Sequence, residues 1–473
     1  MKFSLLFLVF CLSISAWSPP INLSPRAYDD VNPAISLCHQ DMVHFYPMCL
    51  VWQTKTTSVR SQIDSRFNYT GTAWSRIIPV AYILFTDPNP SVAYDSKRNR
   101  WWCAFQNTED ESLEVNVYVS YGDSLNGWSV PVRVSPMDCV DDREPTIICD
   151  NDTIWVAWLA QYGEAINIHT RYYDGTSWSP ILPVTRDSNG SNINQNFNIR
   201  KGNPFLVWEK SADIYYSEYS GGQWTIPRTV GVPSRPTESK PKVISYPGTG
   251  GIWIICHSAP VPPLFDIYQT PLDSFNRWIQ IITHDSADVN PAGLFLSIPV
   301  QEQNPNCILW TSERDGNKNI YSQLFSMITS VDTSQAEDDS VVSSVVTYSG
   351  YGYLWAIWQT NRNGNWDIYG SYTQYRLGVK ESVVELVNSI NKIDINLNPV
   401  RGRVAIKYTI SSDAIVELKF CDASGRVVHC IHRGRELKGI HQTFLEKRLS
   451  TGVYFVTLEA NGKQATQKFV VVE

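Results

Sequence analysis

AWSPPINLS, residues 16–24, is the stretch whose reading decides how this chain folds. Related pieces recur downstream: AWSRIIPV from Ala73, GWSVPVRVS from Gly127, SWSPILPVT from Ser177 and QWTIPRTV from Gln223. Each later copy closes a unit of roughly 50 residues, a period that marks repeat architectures. The first copy has no unit before it.

The unit carries three further markers. Trp52, Phe105, Trp158, Trp208, Trp310 and Trp358 end short apolar runs, and WIICHS puts His257 in the same frame. These seven positions are separated by 53, 53, 50, 49, 53 and 48 residues. An Asn or Asp before an apolar–aromatic pair follows: Asn116, Asn167, Asp213, Asp266, Asn319 and Asp367, with a degenerate SVR at Ser58 in the first unit. A proline opens the preceding run: Pro33, Pro90, Pro145, Pro241 and Pro291, with Asn196 and Val341 at that place in the other two units. The W-S-x-P element supplies Trp74, Trp128, Trp178, Trp224 and Trp278, and SMITSV around Met327 replaces it in the sixth unit.

Each unit is thus four short runs of alternating β-branched and aromatic residues between Gly, Asn, Asp and Pro turns. Four strands per such period is the sequence form of a propeller blade. The seventh unit stops at Tyr375 without its W-S-x-P strand. AWSPPINLS supplies that strand from the other end, because an open ring would leave unpaired strand edges. The expected fold is all-β: a seven-bladed β-propeller closed by an N-terminal strand, followed by a small Ig-like β-sandwich. The expected boundaries are a signal peptide over 1–16, the propeller over 17–375, a linker over 376–392 and a C-terminal domain over 393–473.

Residues 1–15, MKFSLLFLVFCLSIS, pair one lysine with an apolar stretch and small residues before Ala16, the form of an export signal. No later stretch is apolar over the ~20 residues a membrane helix needs. The formal net charge of −7 and the lack of a basic stripe argue against nucleic acid as a partner. Seventeen Trp and 24 Tyr supply a large core. Ten cysteines become nine once Cys11 leaves with the signal. Cys38 with Cys49 and Cys421 with Cys430 are candidate pairs, set against buried free thiols.

Residues that recur in every unit belong to architecture, so Trp52, Trp158, Trp208, Trp310, Trp358, Trp178 and Trp224 are assigned to blade packing. The Asn or Asp of the third marker is expected to cap a turn. The loops at 313–319 and 361–367 place Asp315, Asn317 and Asn319 in calcium-like alternation, without the bidentate Glu of an EF-hand. His257, the apolar SAPVPPLF run after it, and the Trp101–Trp102 pair depart from the repeat, with structural roles the simpler explanation. No catalytic residue, cofactor site or metal site is assigned.

Three hairpins, YGDSLNGWS (121–129), YDGTSWS (173–179) and SGGQWT (220–225), resemble eroded Asp-box turns of the sialidase propeller superfamily. That resemblance implies structural hairpins away from any active site. The arginine set and early Arg-Ile-Pro motif of sialidases have no counterpart, SPRAYDD at 24–30 being the nearest stretch.

After Tyr375 the texture changes. Asn398-Pro399, Ile406 and Tyr408, the Asp422, Gly425, Arg426 and Val428 hairpin, Lys438-Gly439 with His441, and Leu449, Gly452, Val453 and Tyr454 occur in order before the closing strand at 468–472. This succession resembles the type A C-terminal sorting domain of the type IX secretion system. The resemblance implies secretion machinery as a partner and passage through the periplasm to the cell surface or the medium. Gly425 and Gly452 are expected to provide positive φ at tight turns. Two functions stay open: a binding or adhesion module for a glycan or protein, favoured because no nucleophile, base or metal constellation is visible, and a glycoside hydrolase or lyase.

Overall fold

The computed structural model describes residues 16–472 apart from 37–46, 85–86, 109–113, 139, 151, 231–237, 246–250, 262–263, 273–278, 283–286, 296–305, 325–326, 349–350, 377–391, 396–399, 401–403, 411–412, 437–438, 446 and 461–462. The expected signal peptide up to residue 15, most of the linker, Cys38, Trp278, Asn398, Pro399 and Lys438 lie outside the described residues. Regular structure among the described residues is all strand. The chain divides into two compact units, residues 1–378 and 379–473.

The first unit holds seven antiparallel sheets of four or five strands. Their first strands are Asp29–Ile35, Ser91–Asp95, Asp141–Asp150, Asn192–Arg200, Glu238–Ser245, Asp288–Phe295 and Asp338–Tyr348. Each first strand packs on that of the next sheet, and the seventh packs on the first. This closed inner ring makes the unit a β-propeller, with the seven sheets as blades 1 to 7 in that order.

Blade 7 is completed from the N-terminus. Ile21 pairs with Gly370 and Asn22 with Tyr369. Beyond the two paired residues, Leu23 N donates to Ile368 O (2.7 Å) and Ser18 N to Tyr372 O (2.8 Å). Glycine at 370 suits this closure, because a Cβ there would sit 2.9 Å from Leu23 Cδ1 and 3.1 Å from the Trp355 ring.

Two aromatic systems join the blades. Trp52, Trp158, Trp208, Trp310 and Trp358, on second strands, are fully buried and pack with apolar residues of the preceding blade. The second system uses the W-S-x-P tryptophans. Trp128 Nε1 donates to Ser65 Oγ (3.0 Å), Trp224 Nε1 to Thr170 Oγ1 (2.8 Å) and Trp17 Nε1 to Ser322 Oγ (3.0 Å). Each acceptor lies on the third strand of the preceding blade. Trp178 instead packs on Tyr173 of its own blade, with centroids 5.5 Å apart. Trp101 and Trp102 are buried, so they fill core and offer no stacking face.

The ladders correct three alignments of the repeat. In blade 5 Glu238 pairs with Ser258 as Asp30 pairs with Thr54 and Asn192 with Lys210, so Cys256 holds the aromatic slot and His257 follows it. A register shift in six of the seven first strands falls between Val31 and Ala34 in blade 1 and between Ile193 and Asn196 in blade 4. Gln195, one residue before Asn196, therefore occupies the proline place in blade 4. In blade 1 the partner of Thr54 is Gln62, so the third-strand marker is Gln62 and not Ser58. Nor does the marker merely cap its turn. Asn167 Oδ1 accepts from Thr185 Oγ1 (3.0 Å) and Asp187 N (2.7 Å), holding the segment that leaves the fourth strand.

In the second unit, a three-stranded sheet (Lys392–Ile395, Val404–Ile410, Gly439–Leu445) and a four-stranded sheet (Ala414–Asp422, Val427–Glu436, Gly452–Ala460, Lys463–Val471) share one apolar core that includes Ile406, Tyr408, Leu418, Phe420, Val456 and Phe469. Asp422 organises the hairpin: its Oδ1 accepts from Ser424 N (3.0 Å) and Arg426 N (3.1 Å), and Oδ2 accepts from Arg426 Nε (3.0 Å). Gly425 has φ 82°, as expected. Gly452 is not in the left-handed region; it begins a strand opposite Val471, where extended backbone suits any residue. Tyr454 packs on Phe469 and donates to Ser450 O (3.0 Å). Cys421 and Cys430 do not face each other: Cys421 lies opposite Val427 and Cys430 opposite Lys419, and both thiols are free. Cys49 is a buried free thiol.

Candidate functional site at the axial rim

The first strands share one unusual backbone feature. Asn32 (φ 53°), Asn89 (42°), Glu144 (50°), Asn194 (53°), Lys240 (49°), Asn290 (53°) and Ser340 (57°) are all left-handed, one in each blade at the same place. Six of them fall at the register shift of the first strand, and Asn89 lies two residues before Ser91–Asp95. A left-handed non-glycine costs about 1–3 kcal/mol and persists only where its surroundings impose it. Asparagine tolerates it best, which fits four of the seven.

The surroundings come from the preceding blade. Asn32 N donates to Gln359 Oε1 (2.9 Å), Glu144 N to Gln106 Oε1 (2.6 Å), Lys240 N to Glu209 Oε2 (3.4 Å) and Asn290 N to His257 Nδ1 (3.4 Å). A bulge turns its side chain away from the pleat. Here that makes a ring of seven partly or fully exposed side chains where the inner strands begin. The backbone is uniform around the ring, whereas the side chains are not.

Hydrogen bonds link neighbouring members. Glu209 Oε2 accepts from Asn194 Nδ2 (2.8 Å) and Ser239 Oγ (2.6 Å). Lys240 Nζ donates to Asn290 Oδ1 (2.7 Å), and Asn290 Nδ2 donates to Asp339 Oδ1 (2.9 Å). Asn32 Nδ2 donates to Gln53 Oε1 (2.9 Å), whose amide donates to Asp87 Oδ1 (2.7 Å). Glu144 is exposed at the rim, and the protein crowding its carboxyl pushes its pKa up.

Beneath the rim, buried acids receive the second-strand indoles. Trp52 Nε1 donates to Asp30 Oδ1 (3.0 Å), Trp158 to Asp142 (2.7 Å) and Trp310 to Asp288 (3.0 Å), and Trp208 donates to Asn192 Oδ1 (2.8 Å). Burial raises Asp30 to about 6 and Asp142 to about 7. Asp338 reaches about 7, from burial and then the Asp332 charge, against the lowering pull of Arg362. These carboxyls are enclosed and belong to the frame.

His257 also belongs to the frame. Burial and the Lys240 charge lower it to about 4, so it stays neutral and its Nδ1 accepts the Asn290 amide. The calcium-like loops are tied internally: Asn317 Nδ2 donates to Ser334 O (3.1 Å) and Ala336 O (2.7 Å), and Asp315 accepts from the Tyr321 hydroxyl. Asn365 in the other loop donates to Tyr28 O (2.8 Å). Among the described residues no group of three His, Cys, Asp or Glu is placed to share a metal ion. The described residues form no helix long and apolar enough to cross a membrane.

The sequence reading missed this rim. It noted the prolines, but the signal lay one residue earlier, in the Asn of Asn32-Pro33, Asn89-Pro90 and Asn290-Pro291.

Residues 398–472 match the family described as secretion system C-terminal sorting domain. The second unit is therefore a sorting domain, and it marks the chain for secretion. No curated protein matches the chain. Among solved structures, the polysaccharide lyase Uly1 is similar at 11% identity, covering 71% of this chain and 88% of that one, with a TM-score of 0.42. The neuraminidase-like protein of subtype N11 from A/flat-faced bat/Peru/033/2010 gives 10%, 77%, 94% and 0.42. The exo-β-1,3-galactanase of Phanerochaete chrysosporium gives 10%, 97%, 98% and 0.37.

Proposed function

We propose that this chain, whose second unit is a secretion sorting domain, is delivered through a type IX route to the cell surface or the medium and there acts as a binding or adhesion module for a glycan or protein. The rim carries this reading: seven left-handed positions at equivalent places present four amides, a carboxylate, an ammonium and a hydroxyl. Amides paired with carboxylates and an ammonium suit hydroxyl-rich ligands, since each can donate or accept toward a sugar. The type IX machinery is the partner that the sorting domain serves. Glycan-array binding by the full-length exported protein, abolished in an Asn194→Ala/Asn290→Ala double variant of unchanged stability, is the supporting test. Unaltered binding by that variant removes the rim from the account.

A glycoside hydrolase or lyase is the second reading, and one observation favours it. Glu144 is an exposed rim carboxyl with a raised pKa, the property of a general acid. Turnover lost in Glu144→Gln would establish it.

A further inference from the structure

Blade 5 differs from its neighbours at the rim. Two residues past each left-handed position the seven blades carry Ala34, Ser91, Thr146, Asn196, Lys242, Ala292 and Val342. Six are neutral and one is a cation. Lys240, the left-handed residue of the same blade, is also cationic, so two ammonium groups lie two residues apart on one inner strand.

The Lys242 ammonium has no hydrogen bond and no ion pair among the described residues. It is solvent-exposed, yet the surrounding protein lowers its pKa, with the Lys240 charge adding to the effect. Both lysines are exposed on the first strand of blade 5, which packs against the first strands of blades 4 and 6 in the inner ring. Of the carboxylates around the pair, Glu209 accepts from Asn194, Ser239 and the Lys240 backbone N–H, and Asp339 from Asn290 and Ser340 N (2.7 Å). An unpaired ammonium beside a like charge lowers stability, so folding does not explain it.

We infer that Lys240 and Lys242 form an anion subsite in the axial mouth, taking the carboxylate or sulfate of an acidic saccharide whose hydroxyls meet the amides of Asn194, Asn196 and Asn290. This rests on the binding reading above and adds the charge class of the ligand. Charge-assisted hydrogen bonds in a recess are stronger than exposed ones.

The test titrates the full-length protein calorimetrically with four tetrasaccharides: oligogalacturonate, its methyl ester, a sulfated galactan and its desulfated form. The expected result is binding of an acidic probe, about tenfold or more weaker for its neutral counterpart and for Lys242→Met, the loss of one hydrogen bond to a charged group. Lys242→Arg should retain binding. Lys242→Met should melt no lower than the parent, which separates a ligand role from a structural one. Preference for oligogalacturonate assigns carboxylate, and preference for the galactan assigns sulfate. Equal affinity of charged and neutral probes, or wild-type affinity in Lys242→Met, overturns the subsite. If all four probes fail while an array shows a neutral glycan bound, the anion subsite falls and the binding module stands. If the array is blank as well, both fall.

Discussion

The Trp158 indole shows how much one residue decides in this ring. Its N–H meets Asp142 at 2.7 Å inside the core, while the equivalent Trp358 Nε1 has no partner. Phenylalanine at 158 should therefore cost more than at 358, by about 1–3 kcal/mol, because only the first leaves a buried acceptor without its donor. Equal losses in denaturant unfolding would refute the bond's contribution. The buried acids also set a pH dependence. Asp30, Asp142 and Asp338 have folded pKa values of about 6 to 7, above the ordinary value of 3.8. The folded state therefore holds more protons than the unfolded chain between pH 4 and 7. The stabilisation is present at the acid end of that window and fades as pH rises through 6 and 7. The protein should resist urea better at pH 5 than at pH 8, on the order of 2 kcal/mol for one such group, and Asp142→Asn should shrink the difference. A curve rising toward pH 8 would contradict it.

Among elements, the N-terminal strand and the sorting-domain hairpin are the sharpest cases. Removing residues 17–24 leaves the Asp367–Arg376 edge unpaired and takes away the Trp17–Ser322 bond, so the truncated protein should melt lower and self-associate. An unchanged melting temperature and a monomeric elution would mean that closure lies elsewhere. In the hairpin, Gly425→Ala should cost roughly 1 kcal/mol, since alanine resists φ 82°, and Gly452→Ala should cost less. The sequence had equated these glycines because a motif shows that glycine is present and not what its backbone does. A similar blindness shifted three blade alignments, His257 standing one residue past the aromatic slot that Cys256 holds. Asn196 was placed by proline spacing and Ser58 by resemblance to N-x-Y, whereas cross-strand pairing, which neither clue reports, puts Gln195 and Gln62 there.

At the scale of the whole molecule, the fold was legible because most blades repeat the same large residues: an indole at the same place in five of the seven, and a W-S-x-P strand missing from one end and found at the other. The candidate site was harder to read, because its seven members share a backbone conformation and not a residue type: four Asn, a Glu, a Lys and a Ser. Only the ring of first strands brings Asn32, Glu144, Lys240 and Asn290 around one axis, and spacing along the chain carries no record of that. Lys242 looks like any strand lysine until its six counterparts prove neutral. The central claim is that the propeller binds and does not cleave. The most direct measurement incubates the full-length protein with the polysaccharides of an array on which it binds, and follows reducing and unsaturated ends. Retention on the glycan with no new ends, sensitive to substitution at Asn194 and Asn290, is the predicted result. Accumulation of new ends, lost in Glu144→Gln, would contradict it.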